Sequence, residues 1–192
     1  MFDSIISYQL PLVPRVVTNE TVTFEPFSEL QLGGKPVGAM DSVMGGISRG
    51  SWISKSNTFF GKTLLANNGG FALLRWRSPN VHNWSYATGI YIKGLKHYKA
   101  PEHMFRIILR DATCERFKLT NFKAVFATPE QVDQPLLIPF SVLGQMEQMG
   151  TAMVESPVFN PIQITEIWLM AIKPTVVGEF QFKFTEWGLY TI

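Results

Sequence analysis

Hydrophobic and polar residues alternate with a period of two in most segments of this chain that show any pattern. The clearest segment is GEFQFKFTEWGLY at residues 178–190, where Phe180, Phe182 and Phe184 fall on one face and polar residues on the other. Such alternation is typical of an antiparallel strand with one buried face. The same pattern predicts six more strands, at residues 58–66, 70–78, 87–95, 103–111, 116–128 and 164–172.

Turn-forming residues separate these strands. Glycine, asparagine and proline mark turns at residues 67–70, 78–80, 99–101 and 173–174. A series of short strands with such punctuation predicts an all-β fold, a jelly-roll β-sandwich with few short helices. We expect residues 1–21 to form an N-terminal arm and residues 22–192 a single domain. The segment TVTFEPF (21–27) can pair at a sheet edge.

The best helix signal lies in IPFSVLGQMEQMG, residues 138–150. Ser141 can cap a short helical turn that carries Leu143 and Met146 and ends at Gly150. Residues 144–161 show no periodicity, and we expect a long irregular loop there.

Composition narrows the function classes. The chain has 192 residues, of which 46% are hydrophobic and 17% charged, with a net charge of +2. The basic residues are scattered, so nucleic-acid binding is not predicted. The apolar runs are far shorter than the roughly 20 residues that a membrane-spanning helix needs.

The single cysteine, Cys114, excludes an internal disulfide and fits a reducing compartment. The N-terminus lacks the features of a signal or transit peptide.

The segment AMDSVMGGISRG (39–50) invites comparison with phosphate-binding loops. Ser51 and Trp52 occupy the places where a P-loop needs lysine and serine or threonine, and no helix pattern follows. The GxGxxG spacing of dinucleotide sites is also absent. The glycines are instead predicted to shape a bend between strands. Asp41 is open to three interpretations: an acceptor for backbone amides, a catalytic acid, or a calcium ligand.

Arginines alternate with apolar residues in FALLRWRS (71–78). Arg75 and Arg77 fall opposite Leu74 and Trp76, and if Arg106 and Arg110 share their face, an arginine–aromatic surface results. Such surfaces bind proteins, anionic groups or sugars. Two alternatives stay open: a solvated outer face, or an arginine inside the sandwich paired with Asp41.

Catalytic and metal chemistry finds little support in the sequence. His97, Glu102 and His103 lie in a polar connection without zinc-site spacing, and we expect them to be solvated loop residues. No histidine is positioned to activate Cys114. We therefore predict no enzyme activity, no metal site and no cofactor.

A run of motifs carries a family resemblance. MDSVMGGISRG (40–50), followed by FFGKTLLANNGGFALLRWRS (59–78), resembles the complex I intermediate-associated protein 30 family. The similarity extends through FKAVFATPEQVDQPLLIPFSVL (122–143) to the C-terminal strands and covers roughly residues 22–190. Leu95 and Lys96 depart from the Asp-Gly that the family commonly has there.

The resemblance implies a galactose-binding-domain-like jelly roll without catalysis. Mitochondrial members are chaperone-like factors that hold membrane-arm intermediates during assembly of NADH:ubiquinone oxidoreductase. For this chain it implies protein partners, namely subunits or other assembly factors, and a mitochondrial location in a eukaryote. We expect a cytoplasmic location in a bacterium, or where no import signal is used. The alternative is a carbohydrate- or protein-binding module with no complex I role, which the aromatics Trp76, Trp84 and Tyr86 motivate.

These arguments select two sets of residues. The candidate binding residues are Asp41, Ser48, Arg49, Asn68, Arg75 and Arg77. The residues expected to shape the backbone are Gly45, Gly46, Gly50, Gly69 and Gly70.

Overall fold

The computed structural model describes most of the chain in eleven segments. They are residues 21–28, 31–41, 45–66, 70–99, 104–117, 120–126, 134–144, 146–148, 151–153, 155–172 and 178–192. The predicted N-terminal arm lies almost wholly outside these segments, and its separation from a domain at 22–192 stays a prediction.

Regular structure in the described segments consists of β-strands and short 3-10 helices. The strands are β1 Thr23–Pro26, β2 Val37–Met40, β3 Arg49–Ile53, β4 Thr58–Thr63, β5 Phe71–His82, β6 Gly89–Lys93, β7 Lys96–Lys99, β8 Met104–Asp111, β9 Thr120–Phe126, β10 Leu136–Pro139, β11 Glu147–Gln148, β12 Thr151–Ala152, β13 Ile164–Ile172, β14 Gly178–Lys183 and β15 Glu186–Thr191. The 3-10 helices are Ser54–Ser56, Cys114–Arg116, Phe140–Val142 and Pro161–Gln163. None of the described residues forms a helix long and apolar enough to cross a membrane.

The strands form three antiparallel sheets. A seven-stranded sheet has the order β12-β11-β9-β8-β13-β5-β2, and two four-stranded sheets have the orders β1-β15-β6-β10 and β3-β4-β14-β7. The seven-stranded sheet packs against both smaller sheets, because Phe105 of β8 lies 4.4 Å from Phe182 of β14 and Trp76 of β5 lies 4.9 Å from Trp187 of β15, ring centre to ring centre. This arrangement is the jelly-roll β-sandwich that the alternation predicts.

The core is built by the alternating positions. In β14, Phe180 and Phe182 are fully buried, as is Phe184 beyond its end. Glu179, just before Phe180, is exposed, and Gln181, between the two rings, is half-buried. Removing such large rings from water is the main favourable term in folding a sandwich of this kind. The edge strand predicted at 21–27 is also confirmed, since β1 pairs with β15 at the end of its sheet.

Strand β13 is an interior strand of the seven-stranded sheet. It pairs along its length with β5 on one side and β8 on the other. Its residues Ile167, Leu169 and Ala171 are buried in the core. Because successive side chains point to opposite faces, Glu166 and Trp168 lie on the outward face of the sheet.

The helix prediction at 138–150 is only partly right. The helical turn is the 3-10 helix Phe140–Val142, and Ser141 lies inside it and does not cap it. The chain reverses at Gly144, whose φ is +68°, and Glu147–Gln148 then pair with both β9 and β12. Backbone groups of this segment are satisfied by the sheet, so part of the predicted irregular loop is strand.

The polar connection predicted around His97 is also strand in part. Lys96–Lys99 form β7, which pairs with β14 at the edge of its sheet. An edge strand has one open side and tolerates polar residues, so its composition resembles that of a loop. Glu102 and His103 lie outside the described residues.

Phe182→Ala should lower the free energy of unfolding by about 3–5 kcal/mol, because the ring is fully buried against Phe105, Phe126 and Phe184 and its loss leaves a cavity. Phe60→Ala is the matched control, since Phe60 is exposed on β4, and it should cost under about 1 kcal/mol. Urea denaturation measures both values. Equal losses would contradict the assignment of Phe182 to the core.

Candidate functional site

Asp41 and Ser48 tie the bend between β2 and β3 to two other parts of the chain. The Asp41 carboxylate accepts hydrogen bonds from the Ser48 backbone N–H at 2.9 Å, from the Ser48 hydroxyl, and from the Gly70 N–H at 2.8 Å. The Ser48 hydroxyl oxygen in turn accepts from the Leu64 N–H at 2.9 Å. The bend, the end of β4 and the start of β5 are thereby joined at one carboxylate, and we call Asp41, Ser48, Leu64 and Gly70 the Asp41 knot.

The electrostatics of Asp41 favour its ionised form. Burial by itself would raise the pKa, but the hydrogen bonds from Ser48 and from backbone N–H groups outweigh it and lower the pKa below its ordinary value of 3.8. Both Asp41 and Ser48 are buried, with 0% and 3% of their surface exposed. The geometry matches the interpretation of Asp41 as an acceptor for backbone amides.

Two of the predicted glycines are required by this geometry. A Cβ on Gly46 would stand 2.3 Å from Cγ of Asp41, so no larger residue fits there without moving the carboxylate. Gly45 has a φ of +86°, which L-residues rarely adopt. Gly69 and Asn68 lie outside the described residues, and their roles stay predictions.

A second cluster lies on the outward face of the seven-stranded sheet, centred on Glu166. Arg77 of β5 and Arg110 of β8 stand opposite Glu166 of β13, and Arg75 stands opposite Trp168. The Glu166 carboxylate lies 3.3 Å from Arg110 Nη1, 3.6 Å from Arg77 Nε and 3.9 Å from Arg75 Nε. Its side chain is fully buried beneath them and also accepts a hydrogen bond from Trp168 Nε1 at 2.6 Å.

The three arginines differ in what they leave exposed. Arg110 is 14% exposed and also donates to the carbonyls of Cys114 and Thr120, so it is held inside the structure. Arg75 and Arg77 are 39% and 60% exposed. A guanidinium has five N–H donors, so these two can hold Glu166 and still contact a partner.

The same outward face continues across β8 and β9. Lys123 pairs with Glu147 of β11, and both side chains are buried. Burial lowers the pKa of Lys123, and Glu147 opposes that shift. Burial likewise lowers the pKa of Arg106, and Arg106 Nε has no acceptor within the part of the chain that the structure describes.

We call this surface the cationic face. Its members are Arg75, Arg77, Arg106, Arg110, Lys123 and Trp168. Five cationic side chains share three carboxylates, those of Glu166, Glu147 and the partly exposed Glu115.

The structure resolves the alternatives for the arginines. Arg75 and Arg77 share a face with Arg106 and Arg110, but β13 lies between the two pairs. The pairing of an internal arginine with Asp41 is wrong, because Arg75 is on the outward face with Glu166. Arg49 stands opposite Lys62 in a different sheet and does not join the cationic face.

Sequence reasoning did not select Glu166, Trp168, Lys123 or Glu147. Alternation in ITEIWLMAI (164–172) already places Glu166 and Trp168 on one face, so that signal was available. Lys123 is likewise placed by the register of β9, but Glu147 was hidden in a segment predicted to be loop.

Two other candidates have a structural explanation. Cys114 is fully buried, and burial raises the pKa of its thiol to about 11, so it is held as the neutral thiol. Of the aromatics proposed for sugar stacking, Trp76 and Trp84 are buried in the core. Tyr86 is exposed and donates its hydroxyl to Glu25.

The comparisons with known proteins agree with the sequence motifs. The family described as complex I intermediate-associated protein 30 (CIA30) matches residues 37–184, which is more than half of the chain. The chain belongs to the CIA30 family. No curated protein matches it.

Two solved structures are similar to this CIA30 domain at low sequence identity. A family 11 carbohydrate-binding module of the cellulosomal cellulase Lic26A-Cel5E of Clostridium thermocellum is 12% identical, with a TM-score of 0.56, covering 90% of this chain and 96% of the module. PfGH50B is 9% identical with a TM-score of 0.44, covering 80% of this chain and 22% of that one. The first similarity establishes the galactose-binding-like jelly-roll fold.

Asp41→Asn should lower the free energy of unfolding at pH 7 by about 2 kcal/mol or more, because a buried donor loses its acceptor. The lowered pKa of Asp41 adds stability above pH 3.8 that is lost as the pH falls through the folded-state pKa. The difference between wild type and variant should therefore shrink below about pH 4. Denaturation at several pH values measures it, with Glu155→Gln on the surface as control. A difference that stays constant with pH would refute the ionised Asp41.

Glu166→Gln should lower the free energy of unfolding by about 3 kcal/mol, since three guanidinium groups lose their shared buried charge. Arg77→Ala should cost less than about 1 kcal/mol, because its pairing is exposed to solvent. Chemical denaturation distinguishes the two. If Arg77→Ala were the more costly change, Glu166 would not be the centre of the cluster.

Proposed function

We propose that this protein is a non-enzymatic, chaperone-like binding domain that holds an intermediate during assembly of respiratory complex I. The observation that carries the proposal is the family match over residues 37–184, whose description associates the family with complex I intermediates. Its partners are subunits or other assembly factors of that complex. The protein acts in mitochondria if it comes from a eukaryote, and in the cytoplasm if it comes from a bacterium.

The cationic face supports a protein-binding role. Arg77 is 60% exposed and Arg75 39%, yet both stay oriented by the buried carboxylate of Glu166. Arginine and tryptophan are enriched where proteins bind one another, because they combine contact area with directed hydrogen bonds. Pre-oriented side chains lose less entropy when a partner arrives. Carboxylates of a client subunit are the groups that such a surface would select.

Deletion of the gene should reduce assembled complex I and membrane NADH:ubiquinone oxidoreductase activity, measured by native gel and by enzyme assay. Wild type should restore both. Arg77→Glu should restore them poorly, because the reversed charge repels a client carboxylate and sits beside Glu166. Lys96→Glu, the same exposed charge change on β7, should restore them fully. Normal complex I in the deletion strain would refute the assembly role.

The second candidate is a carbohydrate- or protein-binding module with no complex I role, which the jelly-roll fold favours. Two of the three aromatics that motivated sugar binding, Trp76 and Trp84, are core residues, so they cannot stack on a ligand. Trp168 is the partly exposed tryptophan of the cationic face. A rise in melting temperature with soluble glucans, abolished by Trp168→Ala, would favour this candidate over the assembly role.

A further inference from the structure

A cleft lies between the edge strands of two different sheets. β2 is an edge strand of the seven-stranded sheet, and β3 is an edge strand of the four-stranded sheet β3-β4-β14-β7. The space between them measures about 540 Å³. We call it the edge cleft; its lining is Lys35, Pro36, Gly38, Gly50, Ser51, Trp52, Ile53, Ser54, Lys55 and Leu74.

Strand β3 presents an open edge to this cleft. It pairs with β4 on one side only, and four of its five residues, 50–53, line the cleft. An open strand edge carries unpaired N–H and C=O groups that can pair with another chain. On the opposite wall, Pro36 has no N–H to donate. The β3 wall is therefore the better partner for an added strand.

The cleft combines apolar surface with positive charge. Val37 and Ile53 beside it are 61% and 46% exposed, and Trp52 packs its ring against Trp76 at 5.6 Å. Lys35 and Lys55 line it, and no carboxylate does. Neither lysine forms an ion pair within the described part of the chain.

The two walls of the edge cleft are connected through the Asp41 knot. β2 runs directly into Asp41, and Ser48 directly precedes β3. The hydrogen bonds from Ser48 to the Asp41 carboxylate thus fix the two walls relative to each other. A fixed opening lowers the entropic cost of admitting a partner.

We propose that an extended acidic segment of a partner protein binds in the edge cleft as an added strand against β3. Its backbone pairs with residues 50–53, its aliphatic side chains lie on the same face as Trp52 and contact it, and its carboxylates face Lys35 and Lys55. Strand addition obtains affinity from main-chain hydrogen bonds and specificity from alternate side chains. This surface adjoins the cationic face, since Val37 pairs with Arg75, but its lining includes no member of that face. The proposal does not depend on the complex I proposal.

The test uses a fluorescein-labelled peptide of about eight alternating valine and glutamate residues, titrated into the full chain by fluorescence anisotropy. The peptide should bind, and amide shifts in the NMR spectrum should centre on residues 50–53. Lys35→Glu combined with Lys55→Glu should weaken binding by about fivefold or more, since both rim charges reverse. The same peptide with alternate amides N-methylated should not bind.

The matched control combines Lys96→Glu with Arg116→Glu, two exposed cations outside the cleft, and should leave the affinity unchanged. A valine–lysine peptide should bind more weakly than the valine–glutamate one. Absence of binding at millimolar peptide, or equal affinity for the cleft variant and the control, would overturn the proposal. So would concentration-dependent shifts of β3 without peptide, which would assign the edge to a second copy of this chain. The peptide experiment tests the edge cleft alone, whereas complex I content in the deletion strain tests the assembly role, so the two proposals can fail independently.

Discussion

The carboxylate of Asp41 gathers donors from segments up to 29 residues apart, and the arrangement of the strands around it depends on that convergence. β2 and β3 belong to different sheets, so the chain must cross from one layer of the sandwich to the other between them. The crossing leaves backbone N–H groups that neither sheet can satisfy, and an ionised carboxylate is a strong acceptor for several of them at once. Gly46 leaves the carboxylate room to occupy that position.

On the cationic face the central group is again a buried carboxylate, but its partners are cationic side chains instead of backbone N–H groups. Glu166 is buried at a cost in desolvation, which three guanidinium groups and the Trp168 indole offset. Glu166 lies at the centre of the cluster, and the arginines surround it. Arg75 and Arg77 are therefore oriented by its carboxylate although part of each side chain stays exposed. The binding surface that we propose therefore presents the exposed ends of Arg75 and Arg77.

Sequence periodicity predicted the elements that are long and half-buried, and failed where length or composition removed the signal. β14 and β13 show full alternation, so their faces were readable, including Phe182 inside. β11 is only two residues long and cannot show a period. β7 is a polar edge strand and resembles a loop. Ser48 stands seven residues from Asp41, but the contact with Gly70 depends on how distant strands pack.

Three residues of the motif that carries the family resemblance are internal, namely Asp41, Gly46 and Ser48. Asp41 and Ser48 are buried and committed to hydrogen bonds within the chain, and Gly46 packs on them. These residues stabilise the crossing between the two layers of the sandwich, and being buried they are not placed to contact a client. The contacts that we propose with a partner use exposed positions such as Arg77, Lys35 and Lys55, which can change without disturbing the crossing. One family fold can in this way serve different partners, because the constraint on folding and the determinants of binding occupy different residues.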